Sequence, residues 1–272
     1  MAVLAHPDDE SLGTGGALAK YAAEGVSISL VTATRGERGR NGSSRTSSPA
    51  ELGELREAEL RRAANVLGIS EVSFLNCADG AVDESDPRKT TAAIANHIQR
   101  VQPHVVVTFG PEGAYGHPDH IAISQFTTAA VVDAAYESFN GRRPHQVSKL
   151  YYIAWTGPKW DAYQSALKRL ISRVDGVDRQ ATPWPAWAIT TKVDTTGYWR
   201  TVWDAVSCHE TQMSIYQNLR ELETRHHQAL WGSQEFYRVF SLVNGGRTVE
   251  SDLFEGLRTD GKQQTGRNPA AA

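Results

Sequence analysis

The chain has 272 residues, of which 40% are hydrophobic and 22% are charged, and its formal net charge is −3. These values are typical of a soluble globular protein that is long enough to bury a sizeable core. The small negative net charge does not favour binding to nucleic acid. No apolar run approaches the roughly 18 residues of a membrane span. Two cysteines are too few for a disulfide framework and no signal peptide is recognised, which predicts a reduced, cytoplasmic protein. The sequence leaves open whether Met1 is the natural start of the chain.

Strand and helix patterns alternate along the first half of the chain. Apolar and β-branched runs predict strands over Ala2–Ala5, Val26–Thr34, Val72–Asn76 and Pro103–Phe109. Helical periodicity between them predicts helices over Leu12–Gly25, Ala50–Ile69 and Asp86–Gln102. This order is that of a parallel α/β fold with right-handed crossovers. We therefore predict a Rossmann-like, mainly parallel sheet flanked by helices.

The second half of the chain is predicted to be more irregular. Helices are expected over Ile121–Ala135 and around Gly197–His209, and strands over Lys149–Trp155, Ala188–Asp194 and Glu235–Val243. No linker is evident, so the sequence predicts one domain over residues 1–258, followed by a polar, disordered tail at 259–272. The long Gly-, Ser- and Arg-rich segment Arg35–Pro49 is either a solvated lid or a polar clamp for substrate.

Two polar clusters follow predicted strands, and both contain the tripeptide His-Pro-Asp. The first spans His6–Glu10, and the second spans Gly110–Ala122. Ligands of parallel α/β sheets bind outside the carboxyl ends of the strands, so the clusters meet in one crevice if the two strands are neighbours. The residues that would converge there are His6, Asp8, Asp9, His117, Asp119 and His120.

Two imidazoles and one carboxylate, with a position left for water, are a common ligand set for a catalytic metal. We predict that His6, Asp9 and His120 are the ligands, because His6 and Asp9 lie three residues apart where a loop enters a helix. Zn²⁺ is the expected ion, although Fe²⁺ and other divalent metals suit the same donors.

The other polar residues of the clusters are candidates for the catalytic groups. Asp8 is predicted to take a proton from water at the metal, His117 to assist the leaving group, and Asp119 to orient a histidine. Taken singly, each cluster is equally typical of a capped helix start or a solvated loop. Their joint occurrence at two strand ends favours the metal site.

The clusters resemble the LmbE/PIG-L family of metal-dependent N-acetylglucosamine deacetylases. The resemblance rests on AHPDDE at 5–10 and GHPDH at 116–120. It extends to TRGERG at 34–39, REAEL at 56–60, ADG at 78–80 and CHETQ at 208–212. The family implies a Rossmann-like fold with a variable C-terminal part, together with the metal ligands and base named above.

The resemblance also implies roles for further residues. His117 would be the general acid or would stabilise the transition state, Asp119 would orient a histidine, and Tyr115 would help to stabilise the oxyanion. Arg56 and Asp79 would contact the sugar. Residues 157–185 match no pattern of the family, so the exact substrate is left open.

The activity implied is hydrolysis of the N-acetyl group of a GlcNAc-type amino sugar or glycoconjugate, a small-molecule substrate. One alternative is an amidase acting on a larger sugar amide, such as a thiol–sugar conjugate. Another is a non-haem iron oxidoreductase, because two histidines and one carboxylate also form its ligand triad. A non-catalytic sugar-binding protein is a third alternative. The sequence does not determine the oligomeric state, and it is compatible with a homo-oligomer.

Overall fold

The structure is a computed structural model that describes residues 1–39, 48–166, 171–174, 176–214 and 216–258. Most of the Arg35–Pro49 segment and the predicted disordered tail at 259–272 lie outside the described residues. The strands of the described part are β1 (Ala2–Leu4), β2 (Ser29–Thr32), β3 (Glu71–Phe74), β4 (Val105–Phe109), β5 (Lys149–Ile153), β6 (Ser172–Val174), β7 (Val177–Arg179), β8 (Thr191–Asp194) and β9 (Ser233–Ser241).

The helices of the described part alternate with the strands as far as β4, and the order is less regular beyond it. They are α1 (Asp9–Ala23), α2 (Pro49–Leu67), α3 (Pro87–Val101), α4 (Gly113–Gly116), α5 (Pro118–Tyr136), α6 (Gly157–Ala166), α7 (Trp199–Ser207), α8 (Gln217–Arg220) and α9 (Thr224–Trp231). Short 3₁₀ segments occur at Val82–Glu84, Ala186–Ala188, Thr196–Tyr198 and Glu210–Gln212.

Seven of these strands form one sheet in the order β3-β2-β1-β4-β5-β9-β8. The first five strands of that order are parallel, whereas β9 is antiparallel to both β5 and β8. This confirms the predicted Rossmann-like, mainly parallel sheet. The strand order reverses between β1 and β4, and a reversal of this kind opens the crevice in which such sheets bind ligands.

Helices cover the sheet in two groups. On one side α1 packs against α2 and α7, and on the other α3 packs against α5. The core strands β1 and β4 are buried along their whole length, as their apolar sequences require. The segment from 157 to 185, for which the sequence suggested no structure, contains α6 and an antiparallel hairpin of β6 with β7.

Helix α1 begins at Asp9, three residues before the predicted start, so part of the first polar cluster is helical. Asp9 and Glu10 occupy its first turn, where the helix dipole favours negative charge. The glycines that follow permit close packing: a Cβ atom on Gly16 would lie 2.8 Å from Cβ of Thr195. The C-terminal part of the chain is thereby held against the helix that carries the first cluster.

Candidate active site

The two predicted clusters meet where the sheet order reverses. His6 follows β1 directly, and β4 leads through α4 to the start of α5, which carries Asp119 and His120. β1 and β4 are paired neighbours, with Ala2 opposite Val107. One candidate ligand atom from each of His6, Asp9 and His120 lies within 4.8 Å of the other two, and all three residues are buried.

The separations between these ligand atoms test whether a metal would fit. His6 Nδ1 lies 3.2 Å from His120 Nε2 and 3.6 Å from Asp9 Oδ2. His120 Nε2 lies 3.5 Å from Asp9 Oδ1. Donors about 2.0–2.1 Å from a tetrahedral zinc ion are separated by about 3.4 Å. These separations are close to those of a zinc site, with Asp9 presenting Oδ2 to His6 and Oδ1 to His120.

The protonation of His6 also fits a metal ligand. Its Nε2 lies 2.9 Å from Asp119 Oδ2 and 3.2 Å from Asp79 Oδ1, so these carboxylates hold a proton on Nε2, and a metal ion at Nδ1 would take the place of a second proton. Burial alone would lower the pKa of His6, but the carboxylates of Asp119, Asp79 and Asp9 raise it. This surplus of negative charge attracts a cation, whether a proton or a metal ion.

The other two candidate ligands are in the ionisation states that bind metals. Burial, reinforced by the neighbouring imidazoles, lowers the pKa of His120 to about 3, so the ring is neutral. Burial would raise the pKa of Asp9, but its electrostatic interaction with His120 and its hydrogen bonds with His6 outweigh burial and lower the pKa. His120 stacks on Phe109 at a centroid distance of 3.9 Å, which fixes the plane of its ring.

Asp119 is fully buried beneath His6. Its carboxylate accepts hydrogen bonds from the backbone N–H groups of Gly80 at 2.7 Å and Val82 at 3.1 Å. Burial would raise the pKa of Asp119, but the hydrogen bond with His6 lowers it. The geometry lets Asp119 orient the His6 ring, while its own position is set by the loop after β3.

Asp8 lies beside the ligands and has one unengaged carboxylate oxygen. Its Oδ2 accepts hydrogen bonds from Tyr216 at 2.7 Å and from Arg56 at 3.1 Å, whereas Oδ1 has no hydrogen-bond partner among the described residues. Burial and the charge of Asp9 raise the pKa of Asp8 to about 6, although Arg56 opposes them. Its φ of 118° is strained for a residue other than glycine, a feature that often accompanies function.

A buried ion pair supports the backbone of Asp8. The N–H of Asp8 donates to Glu10 Oε2 at 2.9 Å, and Glu10 Oε1 lies 2.8 Å from His209 Nε2. The side chains of Glu10 and His209 are at most 1% exposed. The sequence alone suggests no role for Glu10, His209 or Tyr216. Glu10 lies within the AHPDDE motif and His209 lies within the CHETQ motif, so these motifs could have identified both residues as candidates. Tyr216 lies outside every motif.

Tyr115, in α4, and His117, between α4 and α5, flank the ligand group. His117 Nδ1 accepts a hydrogen bond from the backbone N–H of Asp119 at 3.2 Å, so a neutral ring carries its proton on Nε2. Burial and the charge of His6 lower the pKa of His117, which favours this neutral ring. The Tyr115 ring centroid lies 5.3 Å from that of His120, and burial raises the pKa of its hydroxyl, which therefore stays protonated.

Arg56 and Asp79 are engaged with protein groups. Arg56 donates to the carbonyl oxygen of Pro7 at 2.5 Å and to that of Gly36 at 2.8 Å, in addition to its contact with Asp8. Asp79 approaches His6 through Oδ1 and accepts from the N–H of Arg38 through Oδ2 at 2.8 Å. Burial would raise the pKa of Asp79, but His6 lowers it to about 2. Both side chains line the cavity described next, so contact with a sugar stays a prediction.

A cavity of about 500 Å³ opens over the ligand group. Its walls include every predicted site residue except Asp119, which lies behind His6: His6, Asp8, Asp9, Arg56, Asp79, Tyr115, His117 and His120. This volume falls within the usual range for pockets that bind small molecules.

Within the described part of the chain, no helix is long and apolar enough to cross a membrane.

These features define a class: an α/β protein with a candidate two-histidine, one-carboxylate metal site at the switch point of a mainly parallel sheet. The sequence model of the family described as "PIG-L: GlcNAc-PI de-N-acetylase" matches residues 1–131. A 1D-myo-inositol 2-acetamido-2-deoxy-α-D-glucopyranoside deacetylase of Kineococcus radiotolerans is 35% identical over 299 residues, which cover 94% of this chain and 82% of the relative. The chain belongs to the PIG-L family, as the resemblance of its motifs predicted.

Solved structures share the fold at low sequence identity. An N,N′-diacetylchitobiose deacetylase from Pyrococcus horikoshii superposes with a TM-score of 0.65 at 20% identity, over 88% of this chain and 83% of its own. The 4-carboxy-2-hydroxymuconate hydratase GalB from Pseudomonas putida gives a TM-score of 0.65 at 21% identity, over 90% and 98% of the two chains. Since these names describe different reactions, the fold alone does not decide the chemistry.

The ligand geometry predicts that the wild-type protein binds about one divalent ion per chain and that His120→Ala lowers this content at least ~10-fold, because one of three donors is lost. Elemental analysis after dialysis measures the content. Added Zn²⁺ should also raise the unfolding temperature of the wild type but not that of the variant. His226→Ala, which alters an exposed histidine of α9, is the matched control. Equal metal content in all three proteins would refute the ligand assignment.

Proposed function

We propose that this protein is a metal-dependent hydrolase that removes the N-acetyl group from a GlcNAc-type amino sugar or glycoconjugate. One observation carries the proposal. A His-Asp-His group, an unengaged oxygen of Asp8 and a proton-bearing nitrogen of His117 are brought together at a single cavity. The deacetylase names of relatives that align with almost the whole chain support it.

His6, Asp9 and His120 would hold the ion, and their donor set favours Zn²⁺. When bound there, a divalent ion polarises a carbonyl oxygen and lowers the pKa of a coordinated water. Asp119 and Asp79 keep the proton of His6 on Nε2, so that Nδ1 stays available as a donor to the metal.

Asp8 is the proposed general base. Arg56 and Tyr216 occupy its Oδ2, which leaves Oδ1 to accept a proton from the water that attacks the amide carbon. A C–O bond forms as the water adds, and the Tyr115 hydroxyl is proposed to donate a hydrogen bond to the resulting oxyanion. His117 is proposed to stabilise the transition state by donating a hydrogen bond from its Nε2–H, while Asp8 passes the proton that it took from water to the amide nitrogen as the C–N bond breaks. The products are acetate and the free amino sugar.

Acetate release from a panel of N-acetylated amino sugars tests this function. The panel includes an α-linked N-acetylglucosaminyl inositol and diacetylchitobiose, each assayed before and after chelation and after addition of Zn²⁺. We expect acetate release that chelation abolishes and Zn²⁺ restores. Turnover confined to bulky amides would replace the proposal with the amidase alternative. Oxygen consumption that needs an organic co-substrate would replace it with the oxidoreductase alternative.

Asp8→Asn should retain the metal and lose activity, because the amide cannot accept the proton of water. General bases contribute about 10²- to 10⁴-fold to rate, and a fall in kcat of this size is expected. Metal content is measured on the same sample by elemental analysis. Asp204→Asn, an exposed change of the same kind on α7, should behave like the wild type. An Asp8→Asn protein with normal kcat would show that the base lies elsewhere.

His209 is a proposed positioning residue, since its Nε2 lies 2.8 Å from Glu10 Oε1, and Glu10 in turn holds the backbone N–H of Asp8. His209→Leu should lower kcat about 10-fold while KM and metal content change little, because a displaced base reacts slowly without altering substrate contacts. His209→Gln retains a donor and should recover much of the rate.

The matched control is His227→Gln. It changes a buried histidine that is hydrogen-bonded to the carbonyl oxygen of Leu219 and not to Glu10. Thermal unfolding identifies any general loss of stability in the three variants. If His209→Leu loses rate only in proportion to unfolded protein, or if His209→Gln is no better than His209→Leu, the positioning role is wrong.

A further inference from the structure

Two of the motifs in the sequence meet at a buried carboxylate. Glu59 belongs to REAEL at 56–60 on α2, and Thr211 belongs to CHETQ at 208–212. Glu59 Oε1 accepts a hydrogen bond from the backbone N–H of Thr211 at 2.8 Å, and Oε2 accepts one from the Thr211 hydroxyl at 2.7 Å. Both residues are 1% exposed. Because hydrogen bonds to a carboxylate are strong, this pair fixes α2 to a segment that is 152 residues further along the chain.

Thr211 lies between two residues that support Asp8. His209 precedes it, and the Nε2 atom of His209 lies 2.8 Å from Glu10 Oε1. Tyr216 follows it, and the Tyr216 hydroxyl donates to Asp8 Oδ2 at 2.7 Å. One support reaches the backbone of the proposed base through Glu10, and the other reaches its carboxylate directly. A displacement of Thr211 would therefore disturb both supports.

Backbone hydrogen bonds make the two supports parts of one unit. The N–H of Gln212 donates to the carbonyl oxygen of His209 at 2.9 Å, and the N–H of Tyr216 donates to that of Gln212 at 3.3 Å. Residues 210–212 form a single 3₁₀ turn between them. An isolated turn of this length has little stability of its own, so its position depends on the contacts that it makes with the rest of the protein.

The helix that carries Glu59 also carries Arg56. The two residues are three apart on α2, so they project from the same face of the helix. Arg56 is buried and donates to Asp8 Oδ2 at 3.1 Å. Glu59 lies behind the cavity wall, to which Gln212 and Tyr216 contribute on this side. One face of α2 thus contacts Asp8 directly through Arg56 and indirectly through Glu59.

On the function proposed above, we propose that Glu59 is a positioning residue for the general base. Through Thr211 it holds His209 and Tyr216 at the distances from which they support Asp8. The donors bound to Oδ2 keep the carboxylate from turning, so Oδ1 remains the oxygen that accepts the proton of water and passes it to the amide nitrogen. Small displacements of a reacting group lower the rate steeply, which makes the contact between Glu59 and Thr211 a condition for catalysis.

Thr211→Val tests this role, because it removes the hydroxyl donor with little change in side-chain shape. We expect kcat to fall about 10-fold while KM and metal content change little, since a displaced base slows the proton transfer without altering substrate contacts. Thr211→Ser keeps the hydroxyl and should retain most of the rate. Acetate release, elemental analysis and thermal unfolding are measured on each protein.

Thr191→Val is the matched control. The Thr191 side chain is fully buried, and its hydroxyl donates to Glu250 Oε2 at 2.7 Å, so the same kind of contact is lost at a distance from the cavity lining. Its kcat per folded molecule should equal that of the wild type. If Thr211→Val does not fold, Thr211→Ala takes its place, because it removes the same hydroxyl without placing a methyl group against the carboxylate.

Combination with Asp8→Asn decides whether the contact acts through the base. The base is already lost in that background, so adding Thr211→Val should lower kcat by less than about twofold. If the two effects multiply, Thr211 acts elsewhere and the inference is overturned. It is also overturned if Thr211→Val loses rate only in proportion to unfolded protein, or if Thr211→Ser is no better than Thr211→Val.

Crystal structures separate this inference from the proposed reaction. In Thr211→Val, the contacts that Tyr216 and His209 make with their carboxylate partners should lengthen beyond about 3.5 Å, the limit of a hydrogen bond. Both contacts should persist in Thr191→Val. If no acetate is released from any substrate, the proposed reaction fails, while these distances still decide whether the contact positions Asp8. A Thr211→Val structure in which both contacts are unchanged overturns the inference.

Discussion

The pairing of β1 with β4 is the constraint on which the site depends. It reverses the strand order and brings two loops together that are more than a hundred residues apart in the chain. Each loop opens a helix, so acidic side chains sit in first turns where backbone N–H groups and the helix dipole favour them. The ligand group is a consequence of sheet topology as much as of the side chains themselves.

The concentration of carboxylates is the electrostatic counterpart of this arrangement. Asp8, Asp9, Glu10, Asp79 and Asp119 are all buried or nearly so around His6. Buried carboxylates need opposite charge or hydrogen-bond donors close by. Arg56 meets this need at Asp8, and His209 meets it at Glu10. Asp9 faces the nitrogens of His6 and His120, where a divalent cation would supply the balancing charge.

Much of this could be predicted from the sequence, because the parallel sheet follows from alternating periodicities and two short motifs contain the candidate ligands that the structure brings together. Residues that meet the motifs from far along the chain could not be predicted in the same way. His209 and Tyr216 reach the first loop only because the C-terminal part packs on α1 through Gly16 and its neighbours. Nothing in the local pattern around Tyr216 signals this contact.

The position of Trp155 relative to the sheet could not be predicted from the sequence, for a different reason. The apolar run over Lys149–Trp155 reads as a single strand, whereas β5 ends at Ile153 and leaves Trp155 beyond the sheet. Only the position of α6 shows that Tyr163 stacks on it and that both rings border the cavity. Periodicity locates an element, but the last residue of a strand is set by its pairing partners.

The attachment of Asp8 to His209 and Tyr216 also bears on how the protein is made. A ribosome releases His6, Asp9 and His120 well before either of those two residues has been synthesised. During that interval the growing chain already contains all three candidate metal ligands, while the aspartate beside them lacks two of its supports. On the function proposed above, the residues that would bind the ion are therefore synthesised before those that complete the surroundings of the proposed base.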